Sequence, residues 1–167
     1  MVNKNGTYYT TDYDLSNHYE EGFSVLEKYE PEKVWSAVFF DAEQQFYYLK
    51  RFRFENVVRH TLFIGETEGS YLVALSGEKR PRFEVVFGGR YESRPAEVIV
   101  ADEFIAEKSY KARGKRVTTY EVKQINEIEP LDSGEEESEE TASTDIDFEI
   151  TNPDMLSDET QMKLDFE

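Results

Sequence analysis

The sequence contains no cysteine, which excludes disulfide bonds, thiolate metal sites and cysteine nucleophiles and fits a reducing cytoplasm. It has two histidines, His18 and His60, and neither lies in a metal-ligand spacing. A zinc site or a histidine-based catalytic triad is therefore not predicted. The GxxxxGK[ST] loop that binds nucleotide phosphates is also missing. Together these absences predict a chain that has no catalytic centre, metal or cofactor of its own.

Long apolar runs are missing as well. No run approaches the ~20 residues of a membrane-spanning helix, and the opening MVNKNGTYY lacks the apolar core of a signal peptide. We therefore expect a cytoplasmic protein without membrane contacts.

The charge is distributed very unevenly along the chain. The net charge is −17, but residues 1–125 hold 18 Lys and Arg against 20 Asp and Glu, whereas residues 126–167 hold one Lys and 16 acids. The second range is also poor in large apolar residues, so it cannot bury enough surface to offset chain entropy. The sequence predicts an ordered domain at 1–125 and a disordered acidic tail at 126–167. A purely solubilising role for that tail remains open.

The ordered part has the pattern of an all-β protein. Aromatic residues make up 14% of the chain and are mostly Tyr and Phe, which favour strands. Asn5-Gly6 is a hairpin-turn signal. The predicted strands include 34–40, which is apolar on both faces, the returning strand 46–54, and a last strand at 117–122. Residues 96–112 offer one doubtful helical stretch.

Three times along this part, an aromatic or β-branched run ends in a basic cluster, beginning near residues 50, 79 and 111. Recurrence at this spacing is typical of stacked or radial β units. Repeated cations on a β surface can follow a phosphate backbone without reading its sequence. The alternative is a solvated face whose cations pair with neighbouring carboxylates. The candidate phosphate-binding residues are Lys50, Arg51, Arg53, Lys79, Arg80, Arg82, Lys111, Arg113, Lys115 and Arg116.

Three segments resemble the C-terminal region of the A subunit of bacterial type IIA topoisomerases, as in topoisomerase IV and gyrase. They are NGTYYTTDYDLSNHY, EKVWSAVFFDAEQQFYYLKRF and FIAEKSYKARGKRVTTYEV, and the resemblance covers about residues 1–129. It implies a β-pinwheel of four-stranded blades whose basic rim binds and bends DNA. The chain has room for two to three such blades, so we expect a partial pinwheel from a longer subunit.

The resemblance also implies what the chain does. It would be a non-catalytic DNA-binding domain whose partners are double-stranded DNA, the rest of the A subunit and the ATPase B subunit, acting at the nucleoid. ATP, Mg²⁺ and the catalytic tyrosine would belong to other parts of the holoenzyme. The glycine-rich box typical of gyrase is absent, and Arg113-Gly114-Lys115 is a degenerate version of it. Decatenation or relaxation is therefore expected rather than supercoiling. The alternative is a β-sheet protein-interaction module without DNA affinity.

The end of the tail carries a second motif. QMKLDFE presents Gln161, Leu164 and Phe166 in the order Q-x-x-L-x-F, which resembles the peptides that dock on the bacterial sliding clamp. The glutamine amide could bond at a pocket rim while Leu and Phe fill an apolar cleft. A chance match is the alternative explanation.

Overall fold

The computed structural model describes residues 1–19 and 21–131, and this part of the chain is almost entirely β. The all-β prediction is confirmed. The predicted disorder of the acidic tail and the clamp motif lie outside the described residues. The strands form three antiparallel sheets. They are β1 (Val2–Asn3), β2 (Thr7–Tyr8), β3 (Phe23–Val25), β4 (Trp35–Asp41), β5 (Phe46–Phe52), β6 (Thr61–Leu62), β7 (Tyr71–Ser76), β8 (Arg82–Phe87), β9 (Glu97–Val100), β10 (Lys115–Arg116) and β11 (Val122–Ile128).

The first sheet has the order β3-β1-β2-β6 and begins with the predicted hairpin. Gly6 closes that turn with φ +79°, and its amide donates a hydrogen bond to the Asn3 carbonyl at 3.1 Å. Val2 and Tyr8 face each other across the pair and are both buried. The turn signal therefore places the first two strands correctly.

The second sheet, β10-β5-β4-β7, separates two apolar cores. Alternate residues of β4 point in opposite directions, so Phe39 joins the core that contains Trp35 and Phe52, while Val38 joins the core that contains Phe83. Both faces of β4 are covered, which explains why its sequence is apolar on both sides.

The third sheet, β11-β8-β9, corrects the predicted end of the domain. Residues 117–122 do not form the last strand; β11 starts at Val122 and pairs with β8 as far as Ile128 opposite Arg82. The predicted boundary at 125/126 thus falls inside a strand. Ile125 is buried while its neighbours are polar, and this sparse apolar pattern looks like tail in the sequence. The doubtful helical stretch contains β9 and a single turn, α1 (Ala101–Phe104).

Candidate nucleic-acid interface

The third basic cluster forms a turn fixed against β5. The cluster starts at Lys108, whose amide donates a hydrogen bond to the Arg51 carbonyl at 2.8 Å. Its end is held by β10, which pairs with β5, and by the Val117 amide, which donates to the Tyr47 carbonyl at 2.9 Å. We call residues 111–116 the cationic turn. Residues before and after the turn both form backbone hydrogen bonds with β5, and these bonds fix the position of the turn.

Gly114 is required at the centre of the cationic turn. Its φ is +91°, a conformation that side chains of L-residues rarely adopt. A Cβ atom built there would lie 2.6 Å from the Leu49 carbonyl oxygen and 2.9 Å from Lys50 Cβ. The glycine therefore allows the turn to lie directly on β5.

Lys50 lies beneath this turn and not on the surface, so its prediction as a phosphate contact is wrong. The residue is 3% exposed. Its Nζ donates hydrogen bonds to the carbonyls of Phe63, of Tyr110 at 2.6 Å and of Ala112 at 3.3 Å. Burial lowers the pKa of Lys50 to about 8. The ammonium group thus joins β5, the segment after β6 and the start of the cationic turn.

The cationic side chains of the turn are exposed, although Lys115 and Arg116 also contact the rings of Phe104 and Phe46. Lys111, Arg113, Lys115 and Arg116 are all exposed. Arg113 lies 3.8 Å from a Glu43 carboxylate, and both side chains are more than half exposed, so the pair contributes little. For the other three cations, no carboxylate partner occurs within the described part of the chain. The turn presents four cations with almost no internal neutralisation.

The first basic cluster differs sharply from the third. Arg53 bridges two carboxylates, Glu32 at 2.6 Å and Glu107 at 2.8 Å. Arg51 is half-buried, and its guanidinium contacts the Ile105 carbonyl at 3.4 Å. Both arginines contact residues 105–107, and of the two only Arg53 pairs with carboxylates among the described residues.

In the second cluster, Arg80 is the candidate that pairs with carboxylates among the described residues. Arg80 contacts Asp102 at 3.1 Å and Glu103 at 2.8 Å, which attaches α1 to the β7–β8 turn. Arg82 donates to the Glu129 carbonyl at 2.6 Å. Lys79 is exposed and has no ion-pair partner in the residues described. The structure therefore brings the effective positive charge to the cationic turn.

Two further exposed cations are not among the predicted phosphate contacts. Lys108 belongs to the same basic cluster and lies three residues before the start of the cationic turn, and Arg90 lies in the short 3₁₀ turn after β8. Neither has a carboxylate partner within residues 1–19 and 21–131. Arg90 follows two glycines in FGGR, which marks a turn but does not show that its cation is free.

Other kinds of site receive no support from the geometry. His18 and His60 are exposed, and the His60 ring stacks on Tyr9 at 4.3 Å. The described residues contain no group of three or more side chains suited to hold a metal ion. Nor does any helix in that part of the chain have the length and hydropathy needed to cross a bilayer.

The described part of the chain is thus an all-β domain with one turn, fixed to β5, that carries four exposed cations. The family model "Topoisomerase C-terminal domain, Bacteroidota" matches residues 1–129, and the chain belongs to that family. The predicted resemblance to a topoisomerase C-terminal domain is confirmed. No curated protein and no solved structure matches the chain.

Proposed function

We propose that this domain binds double-stranded DNA through the cationic turn and bends it for a topoisomerase. The observation that carries the proposal is the set of four exposed cations, Lys111, Arg113, Lys115 and Arg116, on one turn that is fixed to β5. Lys79, Lys108 and Arg90 are further exposed cations without carboxylate partners in the described residues, and they are candidates for additional phosphate contacts.

Recognition would depend on phosphate positions and not on base sequence. Cations that neutralise phosphates release counterions, and this gain is independent of sequence. Within the described residues the longest helix is α1, with four residues, which is too short to read a major groove. Bending a duplex site costs about 1–6 kcal/mol, which additional phosphate contacts along the bent DNA can offset.

The family assignment supports the wider setting. In this proposal the domain is a part of a type IIA enzyme of the topoisomerase IV or gyrase kind, at the nucleoid. Its partners are the rest of the A subunit and the ATPase subunit. Strand cleavage, ATP and Mg²⁺ lie outside this chain. Because the gyrase box is absent, the enzyme would decatenate or relax DNA.

Charge reversal in the cationic turn tests the DNA proposal. Four neutralised phosphates predict a slope of log K against log salt of about −3.6, taking about −0.9 for each phosphate. Changing Arg113, Lys115 and Arg116 to Glu should reduce the slope to about −0.9 or abolish binding. The matched control changes three other exposed cations without ion-pair partners in the described chain, Lys4, Lys28 and Arg59, to Glu.

The control separates a local site from a general charge effect. Equal losses in both triple variants would show that net charge and not the turn determines affinity. No measurable duplex binding by the unmodified protein at low salt would favour the second candidate, a protein-interaction module that attaches to the rest of the topoisomerase.

A further inference from the structure

A second surface feature lies next to the cationic turn. It is a cleft of about 460 Å³, which we call the aromatic cleft, and its size is within the ~300–1,000 Å³ typical of ligand pockets. Its walls carry Phe46, Tyr47, Tyr91 and Tyr120, all half-buried. Tyr47, Tyr91 and Tyr120 also pack against the core that contains Phe83, and Phe46 packs against the core that contains Phe52, so each ring is only partly open to the cleft.

The rings of the aromatic cleft have fixed positions. Tyr91 packs on Tyr120 with ring centroids 4.9 Å apart, and Tyr47 packs on Phe40 at 5.1 Å. The Tyr47 hydroxyl shares a hydrogen bond with the Tyr71 hydroxyl at 3.2 Å. Burial, followed by this bond, raises the pKa of Tyr47 to about 12. The Tyr47 side chain is therefore a neutral phenol at neutral pH.

Cations connect the aromatic cleft to the cationic turn. The Arg116 guanidinium lies 3.9 Å from the ring centroid of Phe46, which lines the cleft. Arg90 is the cation in the wall itself. Glu121 is the carboxylate among the lining residues and opposes them. The lining combines flat apolar faces with positive charge at the edge.

We propose that the aromatic cleft binds unpaired bases of DNA whose phosphates lie on the cationic turn. Aromatic faces beside cations are the elements by which proteins hold single-stranded DNA, because every base has a face that can stack. The two faces that receive the base are Tyr47 and Tyr91. This site rests on the proposed DNA-binding function and extends it: the domain would prefer duplexes that are locally opened.

Three labelled DNAs that share one strand test the proposal: that strand paired with its full complement, the same strand paired with a complement that leaves a central run of thymines unpaired, and the single strand alone. We expect the complete chain to bind the bubble at least about tenfold more tightly than the duplex. A 2-aminopurine placed in the bubble opposite guanine, so that it is not paired as it would be with thymine, should lose fluorescence on binding, because stacking on a tyrosine ring quenches it. This signal needs no variant.

Matched variants distinguish stacking from simple burial. Tyr47→Leu with Tyr91→Leu removes the flat faces but keeps apolar bulk, and it should abolish the bubble preference while leaving duplex affinity within about twofold. Tyr47→Phe with Tyr91→Phe keeps the rings and should keep the preference. Glu121→Gln removes the opposing charge and should strengthen bubble binding. A thermal melt of each variant checks that it is folded.

The possible failures are distinguishable. Equal affinity for bubble and duplex, or an unquenched 2-aminopurine, overturns the aromatic-cleft site and leaves the duplex proposal intact. Competition by a proline-rich peptide that depends on both tyrosines would assign the cleft to a peptide instead. Binding of the single strand without the duplex would overturn duplex binding by the cationic turn and support the cleft as the DNA site.

Discussion

Replacing Lys50 with Met should uncouple the cationic turn from the sheet beneath it. The substitution leaves three carbonyls without their ammonium donor. Ala112 is half-exposed, so water can reach its carbonyl, whereas Lys50 and Tyr110 are buried. An unsatisfied buried polar group costs about 1–3 kcal/mol. The apolar Met chain near Phe52 offsets part of this loss, and we expect a net destabilisation of about 2–4 kcal/mol.

The lowered pKa of Lys50 also predicts how the free energy of unfolding changes with pH. Burial lowers the pKa of Lys50 from 10.5 to about 8, so between these values the unfolded chain binds more protons than the folded one. The free energy of unfolding therefore rises with pH in this window, by up to about 3 kcal/mol at 1.36 kcal/mol per pKa unit. Below pH 8 both states are protonated and this gain is absent. The Met variant lacks the effect.

Urea denaturation of both proteins at several pH values between 7 and 10 measures the difference, since subtracting the two curves cancels the titration of shared groups. The free energy of unfolding of the native protein should exceed that of the Met variant by an amount that grows as pH rises. A difference in unfolding free energy that stays constant or falls with pH would refute the lowered pKa of the buried Lys50. Gel-shift affinity for duplex DNA should also fall in the Met variant at pH 7, because its cations no longer have a fixed position.

Three further outcomes are expected. Gly114→Ala should cost about 1–3 kcal/mol by thermal melt, from a positive φ and a clash with β5; an unchanged melt would contradict the tight approach. Removing 132–167 should raise duplex affinity most at low salt, where a tethered acidic tail competes at roughly millimolar effective concentration; equal affinities would leave the tail a solubilising role. A peptide of 157–167 should bind purified sliding clamp with roughly micromolar Kd, and Leu164→Ala with Phe166→Ala should abolish this in calorimetry; no binding by the native peptide would make the motif a coincidence.

Strands with strong local signals could be predicted from the sequence. The Asn5-Gly6 turn, the apolar run of β4 and the turn before β5 each have a local cause, and all appear in the structure. β11 could not be recognised because its stability comes from pairing with β8 and from one buried side chain, Ile125. Such long-range pairing leaves little trace in the strand's own residues.

The site could be predicted only in part. Positive charge at residues 111–116 was evident, but whether a cation is free depends on carboxylates far away in the chain. Arg53 meets Glu107, and Arg80 meets Asp102. The burial of Lys50 could not be predicted either, because strand alternation places Lys50 on the same face as Phe52 but does not show that this face packs in the core. The aromatic cleft could not be predicted for the same reason, because its lining residues come from β5 and from a turn after β8, which are far apart in the sequence.

The short pairing of β10 with β5 has a mechanical consequence. Lys115 opposite Leu49 and Arg116 opposite Tyr48 are the registered pairs, whereas the β4–β5 pairing extends over seven. A duplex pulled away from the domain would load β10 across its bonds, so this strand would peel off before the central sheet gave way. If the cationic turn binds DNA as proposed, the β10–β5 pairing would break at a limited force and re-form afterwards, while the two apolar cores stay folded.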